Sequence, residues 1–293
     1  MKGKLFSKST DEEAVVHQAE NQFAQKAQTK ANGFNGKSDS VADNGVASVE
    51  ESGSTFDFGD LKGKFEVCDP ERLMEHHIFV RGLNKEAKIA ISAYKSLRTR
   101  VVLKMEEIKV NTVMVLGAAQ NVGKTLTSIN LAIALARQEE KRVILVDLDL
   151  RSPSLHHLFG FEPKGNILDV ADGKKKLSDV LVDPGIPGLK ILPGTVRHED
   201  SAEALIRPNT VRLLNEMKQL NNTIIVYDTP PVLGCDDVAL VAPHMDSSLF
   251  VVREGETSRK ELRQSLAMLD SQIPVLGVAI NRSSEGNFSS YYY

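Results

Sequence analysis

Apolar residues along the chain gather into short, almost continuous runs, and the segments between the runs repeat with a helical period. Thr112 to Leu116, Val143 to Asp147, Leu189 to Leu192, Thr223 to Tyr227, Ser248 to Val252 and Val275 to Ile280 are rich in Val, Ile and Leu. They lack the polar alternation of a strand with one wet face. Thr125 to Gln138, Asn209 to Lys218 and Arg259 to Leu269 instead space their apolar residues three and four apart, as helices do. Strands apolar on both faces and separated by helices specify a mostly parallel sheet covered on each side. The pattern predicts a doubly wound α/β domain, entered through an amphipathic helix from Ile89 to Leu103 that carries Ile89, Ile91, Ala93, Leu97 and Val101. Ligands of such sheets bind beyond the carboxyl ends of the strands, so residues directly after strands carry the chemistry.

Residues 1–64 break the pattern. They are rich in Lys, Asp, Glu, Gln, Ser, Asn and Gly, and bury too little apolar area to offset chain entropy. This predicts a disordered tail, in which Asp11 to Lys30 forms at most a short helix with Val15, Val16, Ala19 and Phe23 on one face. The chain has 293 residues, 41% hydrophobic and 26% charged, enough for one folded unit, here taken as residues 65–285, besides the tail. A formal charge of -3 excludes a dedicated nucleic-acid binder, which needs clustered Lys and Arg. No run of about 18 apolar residues occurs, and the start MKGKLFSKSTDEE lacks the apolar core of a secretory signal, so a soluble cytoplasmic protein is expected. Cys68 and Cys235 are too few for a disulfide framework and are expected as thiols. Tyrosine is scarce at 5 residues, yet Tyr291, Tyr292 and Tyr293 end the chain. The other two, Tyr94 and Tyr227, fall in a predicted helix and strand and are expected to be buried.

Three strand ends carry candidate chemistry. After Leu116 comes Gly117-Ala118-Ala119-Gln120-Asn121-Val122-Gly123-Lys124-Thr125, followed at once by a helix. Loop amides and a helix N-terminus form a concave anion site, in which Lys124 reaches the β and γ phosphates and the Thr125 hydroxyl ligates Mg²⁺. Ala118 holds the position of the first glycine of the usual phosphate loop. Asn121 stands where related loops carry Gly, and Asn is among the few residues that tolerate positive φ. The second strand end reads Asp147-Leu148-Asp149-Leu150-Arg151, with both carboxylates on one side of an extended segment. Paired carboxylates beside a Mg-nucleotide divide the work between metal binding and proton acceptance. The third, Asp228-Thr229-Pro230-Pro231, has the form of an aspartate that positions Mg²⁺. Together they indicate a Mg-dependent nucleotide phosphohydrolase or phosphotransferase.

VMVLGAAQNVGKTLTSINLAIALA, VDLDLRSPSLHHLFG, IIVYDTPPVLGCDD, VLGVAINR and the terminal YYY closely resemble the bacterial tyrosine kinases of exopolysaccharide and capsule assembly, over roughly residues 68–293. The resemblance implies a P-loop fold of the deviant-Walker, partitioning-ATPase-like kind, with ATP and Mg²⁺ as cofactors. It implies that Ala119, Gln120, Asn121, Val122, Gly123, Lys124, Thr125 and Leu126 surround the phosphates, and that Asn281 and Arg282 lie near the adenine. Asp147, Asp149 and Arg151 match the motif for metal binding and tyrosine activation. Asp147 is taken as the base and Asp149 as the Mg²⁺ ligand with Thr125 and Asp228, although the residues alone leave those two roles exchangeable. Tyr291, Tyr292 and Tyr293 are the implied phosphoacceptors, on a flexible tail 286–293. The implied partners are a membrane-bound polysaccharide co-polymerase that activates the kinase at the inner face of the plasma membrane, and a cognate tyrosine phosphatase.

Departures from the family pattern are specific. Its loop usually reads Pro-Gly-Glu-Gly-Lys, where this chain has Gln120 to Lys124. Its Glu-x-x-Arg-x-x-Arg helix for ring assembly aligns with Ser92, Lys95 and Arg98, so homo-oligomerisation is expected in weakened form. Two other readings are open: a partitioning or division-site ATPase switch, whose signature Lys is replaced here by Ala119, and a weakly active nucleotide-binding adaptor.

Overall fold

The computed structural model describes residues 64–65, 68–138, 141–195, 197–269 and 272–283. The strands β1 (Lys64–Phe65), β2 (Thr112–Leu116), β3 (Arg142–Asp147), β4 (Val182–Asp183), β5 (Leu189–Leu192), β6 (Thr223–Asp228), β7 (Ser248–Arg253) and β8 (Val275–Asn281) form one sheet. Their order is β1-β4-β5-β3-β6-β2-β7-β8. Adjacent strands run parallel, except that β4 meets β5 antiparallel. The doubly wound sheet expected from the apolar runs is thus present. The two-residue strands β1 and β4 carry no readable period and extend only the edge.

Successive side chains of the central strands alternate between two buried layers, as the pleat requires. Met114, Leu116, Ile144, Val146, Ile225, Tyr227 and Phe250 face one layer with Leu213, Leu214 and Met217 of the helix Pro208–Lys218. Val113, Val115, Val143, Leu145, Val226 and Leu249 face the other, with Ile129, Ile133, Val101 and Met105. The residues of the second layer come from two long helices, α2 (Lys85–Glu107) and α3 (Lys124–Ala136), which follow the short α1 (Pro70–Glu75). Helix α2 exceeds the expected span at both ends because Asn84 caps it, accepting from the Ala87 amide at 2.7 Å, and its end turns carry only the isolated apolar residues Ala87 and Met105. Tyr227 is fully buried as expected, whereas Tyr94 is half-buried against α3.

Between β3 and β6 the chain forms α4 (Leu155–Phe159), α5 (Ile167–Ala171), α6 (Leu177–Val180), α7 (Ser201–Leu205) and α8 (Pro208–Lys218). All but α8 are too short to show a 3.6-residue period, so the sequence pattern does not reveal them. After β6 come α9 (Asp237–Val241) and, beyond β7, α10 (Arg259–Leu269). Residues 1–63, including the expected tail and its helix over Asp11 to Lys30, and the end 286–293 lie outside the described residues. Lys64, assigned above to the tail, pairs with Val182 in the sheet. Among the described residues no helix is long and apolar enough to cross a membrane.

Asn130 fastens the segment between α1 and α2 onto α3. Its buried side chain accepts from the Phe79 amide at 2.9 Å and donates to the carbonyls of His77 at 3.0 Å and Leu126 at 2.9 Å. Asn130→Ala removes the side-chain partner of the Phe79 amide and the His77 carbonyl, and the expected cost is about 1–3 kcal/mol. It should appear in urea unfolding as a lower midpoint at unchanged slope. An unchanged midpoint would mean that water replaces the lost bonds.

Candidate active site

The loop after β2 carries two left-handed residues, Asn121 at φ 60 and Gly123 at φ 101, and Gly123 caps α3. Gly123 also admits close contact, since a Cβ there would lie 1.9 Å from Asn281 Nδ2. That nitrogen donates to the Val122 carbonyl at 3.0 Å, so the end of β8 braces the loop. Arg253, at the end of β7, directs Nη1 toward the Asn121 carbonyl at 3.4 Å. Adjacent left-handed turns that open onto a helix N-terminus supply the backbone shape of a phosphate cradle. Asn121 therefore takes up the conformation that glycine provides in related loops.

Lys124 opens α3 and is buried, with Nζ donating to the Ala119 carbonyl at 3.0 Å. Burial lowers its pKa, against the pull of the Asp228 and Asp149 charges. One turn on, the Ser128 hydroxyl donates to Asp228 Oδ1 at 2.9 Å. Asp228 is fully buried, and its Oδ2 has no partner among the described residues. Burial pushes its pKa up to about 6, opposed by the Thr125 and Ser128 hydroxyls and by Lys124.

Parallel register sets Asp147 directly beside Asp228 at the ends of β3 and β6. Asp147 Oδ2 accepts from the amides of Ser154 at 3.0 Å and Leu155 at 3.2 Å, and Oδ1 accepts from the Asp149 amide at 3.2 Å. Burial, then the neighbouring Asp228 charge, raises its pKa well above the usual carboxylate range, and those amides counter the rise. Asp147 thus also shapes the turn from β3 into α4. Asp149 is half-buried and accepts from the Ser152 amide at 2.9 Å. Burial raises its pKa, and Lys124 is among the groups that lower it.

Arg151 is joined to the site through a residue that the sequence reading missed. Its Nε donates to Oδ1 of Asp237 at 2.9 Å, and Asp237 is fully buried at the start of α9. Ser128 and Arg253 were missed as well. Ser128, four residues after Lys124 on one helix face, was findable from that spacing. Asp237 and Arg253 are joined to the site only by the fold.

The structure brings Lys124, Thr125, Asp149, Asp228 and Asn281 together around the loop. Ala119 is half-buried, Gln120 and Asn121 are exposed, Val122 is buried, and Leu126 packs against the core. Arg282 is exposed at φ 56, its amide donating to Asn281 Oδ1 at 2.9 Å. Tyr291, Tyr292 and Tyr293 lie outside the described residues. Among the described residues no three His, Cys, Asp or Glu side chains form a metal cage. A separate cavity of about 180 Å³ opens at the amino ends of the strands, lined in part by Met105, Lys141, Leu220 and Asn222. It belongs to the opposite side of the sheet from the loop.

Known proteins resemble this chain in sequence and fold. The chain is 31% identical over 202 residues to the tyrosine-protein kinase Ptk of Acinetobacter johnsonii, covering 68% of this chain and 27% of that protein. It is 30% identical over 194 residues to the tyrosine-protein kinase Wzc of Salmonella typhi, covering 66% and 27%. The chain therefore spans about a quarter of the length of the curated relatives it matches. The solved kinase domain of the Escherichia coli tyrosine kinase ETK superposes with a TM-score of 0.60 at 29% identity, over 69% of this chain and 80% of that one. Residues 113–291 match the model of the CobQ/CobB/MinD/ParA nucleotide binding domain, and the chain belongs to that family of P-loop proteins.

Proposed function

We propose that the chain is an ATP-dependent protein-tyrosine kinase of exopolysaccharide or capsule assembly that phosphorylates its own terminal tyrosines. One observation carries the reading: Lys124, Asp149 and Asp228 converge on a phosphate-type loop, where a buried oxygen of Asp228 lacks a partner. Relatives named as tyrosine-protein kinases supply the reaction class. The residues fit Mg-ATP, because the left-handed loop suits phosphates and the unpartnered carboxylate oxygen suits a hydrated cation. Bound Mg²⁺ would neutralise charge on the β and γ phosphates and draw its protein contacts from Thr125, Asp149 and Asp228.

The chain's own side chains do the rest. Lys124 exchanges the Ala119 carbonyl for phosphate oxygens, and the amides of residues 119–126 cradle the phosphates. Asn281 keeps the loop closed, and Arg282 lies beside it at the rim. Asp147, with its raised pKa, accepts the phenolic proton of the attacking tyrosine, while Arg151 meets negative charge on the transferring phosphoryl group. Tyr291, Tyr292 and Tyr293 are the acceptors, delivered from a neighbouring copy. In this reading the protein works at the cytoplasmic face of the plasma membrane with a membrane-bound co-polymerase, forms homo-oligomers, and is reset by a tyrosine phosphatase. In α2, Ser92 and Lys95 are exposed, whereas Arg98 donates to the Ala134 carbonyl at 3.3 Å, so this helix offers a weaker interface than the family pattern.

Purified chain incubated with Mg-ATP and a cytoplasmic fragment of its membrane partner should form phosphotyrosine. Lys124→Met should lower the rate on the order of 10²-fold or more, and replacing all three terminal tyrosines by Phe should abolish the signal. ADP release without phosphotyrosine would identify an ATPase switch instead, and nucleotide binding with neither product an adaptor.

Asp228 gives a second test, on stability. The unfolded carboxyl releases its proton near about 3.9, whereas the folded one holds it to about 6. The unfolded chain therefore binds fewer protons in that window, and stability falls as pH rises from about 4 to about 6. Asp147, shifted in the same direction, adds to the fall. Asp228→Asn should flatten the dependence of the denaturation midpoint on pH. At pH 7, Mg-ADP at about 100 times its Kd should stabilise the wild type by about 2.7 kcal/mol and the variant by less.

A further inference from the structure

We infer that Asp237 is a positioning residue, a buried carboxylate that holds Arg151 by Nε so that its two Nη nitrogens are presented to the transferring phosphoryl group. The inference rests on the kinase reading above and on Arg151 acting at that group. Arg151 stands two residues beyond Asp149, and its side chain is 40% exposed. An arginine so open to water samples many rotamers, and fixing it needs an anchor. The anchor is Asp237, 86 residues away in sequence, fully buried, with Oδ1 at 2.9 Å from Arg151 Nε. Contact through Nε leaves both Nη nitrogens outside the pair, and those are the fork that binds phosphate oxygens.

A purely structural role explains this pair poorly. An ion pair with one exposed partner adds little stability, whereas a carboxylate removed from water is costly. Asp237 nevertheless has no solvent contact, and the Cys235 thiol that bonds its carboxylate is only a weak donor. Its place in the first turn of α9 favours negative charge and limits the penalty. The adjacent Cys235 thiol stays neutral, its pKa pushed up to about 12 by burial and then by Asp237, so it does not compete for the guanidinium. A buried anion at a helix start, with its fixed oxygen on a solvent-exposed arginine, is the arrangement expected where orientation matters more than stability.

The test uses the full chain and follows both phosphotyrosine formation and ADP release against ATP concentration. Asp237→Asn and Arg151→Gln should each lower kcat on the order of 10²-fold at unchanged KM for ATP. The double variant should be no slower than either one, because the second change removes nothing that the first left working. A wild-type kcat in Asp237→Asn, or losses that multiply in the double variant, would overturn the inference. Arg151→Lys provides an arm that does not depend on the buried site folding, since position 151 is exposed. Lysine has no Nε to be held and should lose as much as Arg151→Gln, and near-wild-type activity would overturn the inference. Wild-type ADP release without phosphotyrosine would sink the kinase reading alone, and the same variants would then be compared on ADP release.

Discussion

Everything at this site depends on the register between β3 and β6, which sets Asp147 beside Asp228 one strand spacing apart. Both carboxylates are buried, and each charge makes the other harder to hold. The surroundings divide the burden unequally. Asp147 receives three backbone amides from the turn that leads into α4. Asp228 receives the Ser128 hydroxyl and the nearby charge of Lys124, and keeps one oxygen bare. The two acids thus differ in how their oxygens are occupied, although both are buried.

The same asymmetry bears on the two carboxylates of the Asp147-Leu148-Asp149 segment, whose roles the residues alone leave exchangeable. Asp147 is enclosed by amides and lacks solvent contact, and burial beside Asp228 favours its protonated form. Asp149 is half-buried, and the Lys124 charge acts on it. Burial works against its charge, and the Ser152 amide and Lys124 offset part of that cost.

How much could be read from the chain follows from how local each signal is. The strands, the phosphate loop and the two acidic strand ends were legible because an apolar run and the residues just after it are neighbours in sequence. Asn121 was legible for the same reason, since its tolerance of positive φ is intrinsic to the side chain. Asp237 was not, because nothing in Cys235-Asp236-Asp237 marks one acid as buried, and only folding carries it to Arg151. Arg253 and Asn281 end neighbouring strands that come 132 and 159 residues after the loop carbonyls they meet. The short helices from α4 to α7 were invisible because four or five residues complete little more than one turn.

The loop's departures from the usual pattern can be weighed in the same physical terms. A phosphate loop must hold an otherwise unfavourable backbone shape while its amides wait for an anion. Glycines provide that shape by default, at an entropic cost in the unfolded chain. Here Asn121 adopts the left-handed region itself, and the side chains of Arg253 and Asn281 take up the loop's outward carbonyls. Gly123 remains indispensable, because the brace from Asn281 occupies the space a Cβ would need. The ends of β7 and β8 thus brace the loop. This ties the loop's shape to β7 and to the edge strand β8, so a disturbance at β8 reaches the loop directly.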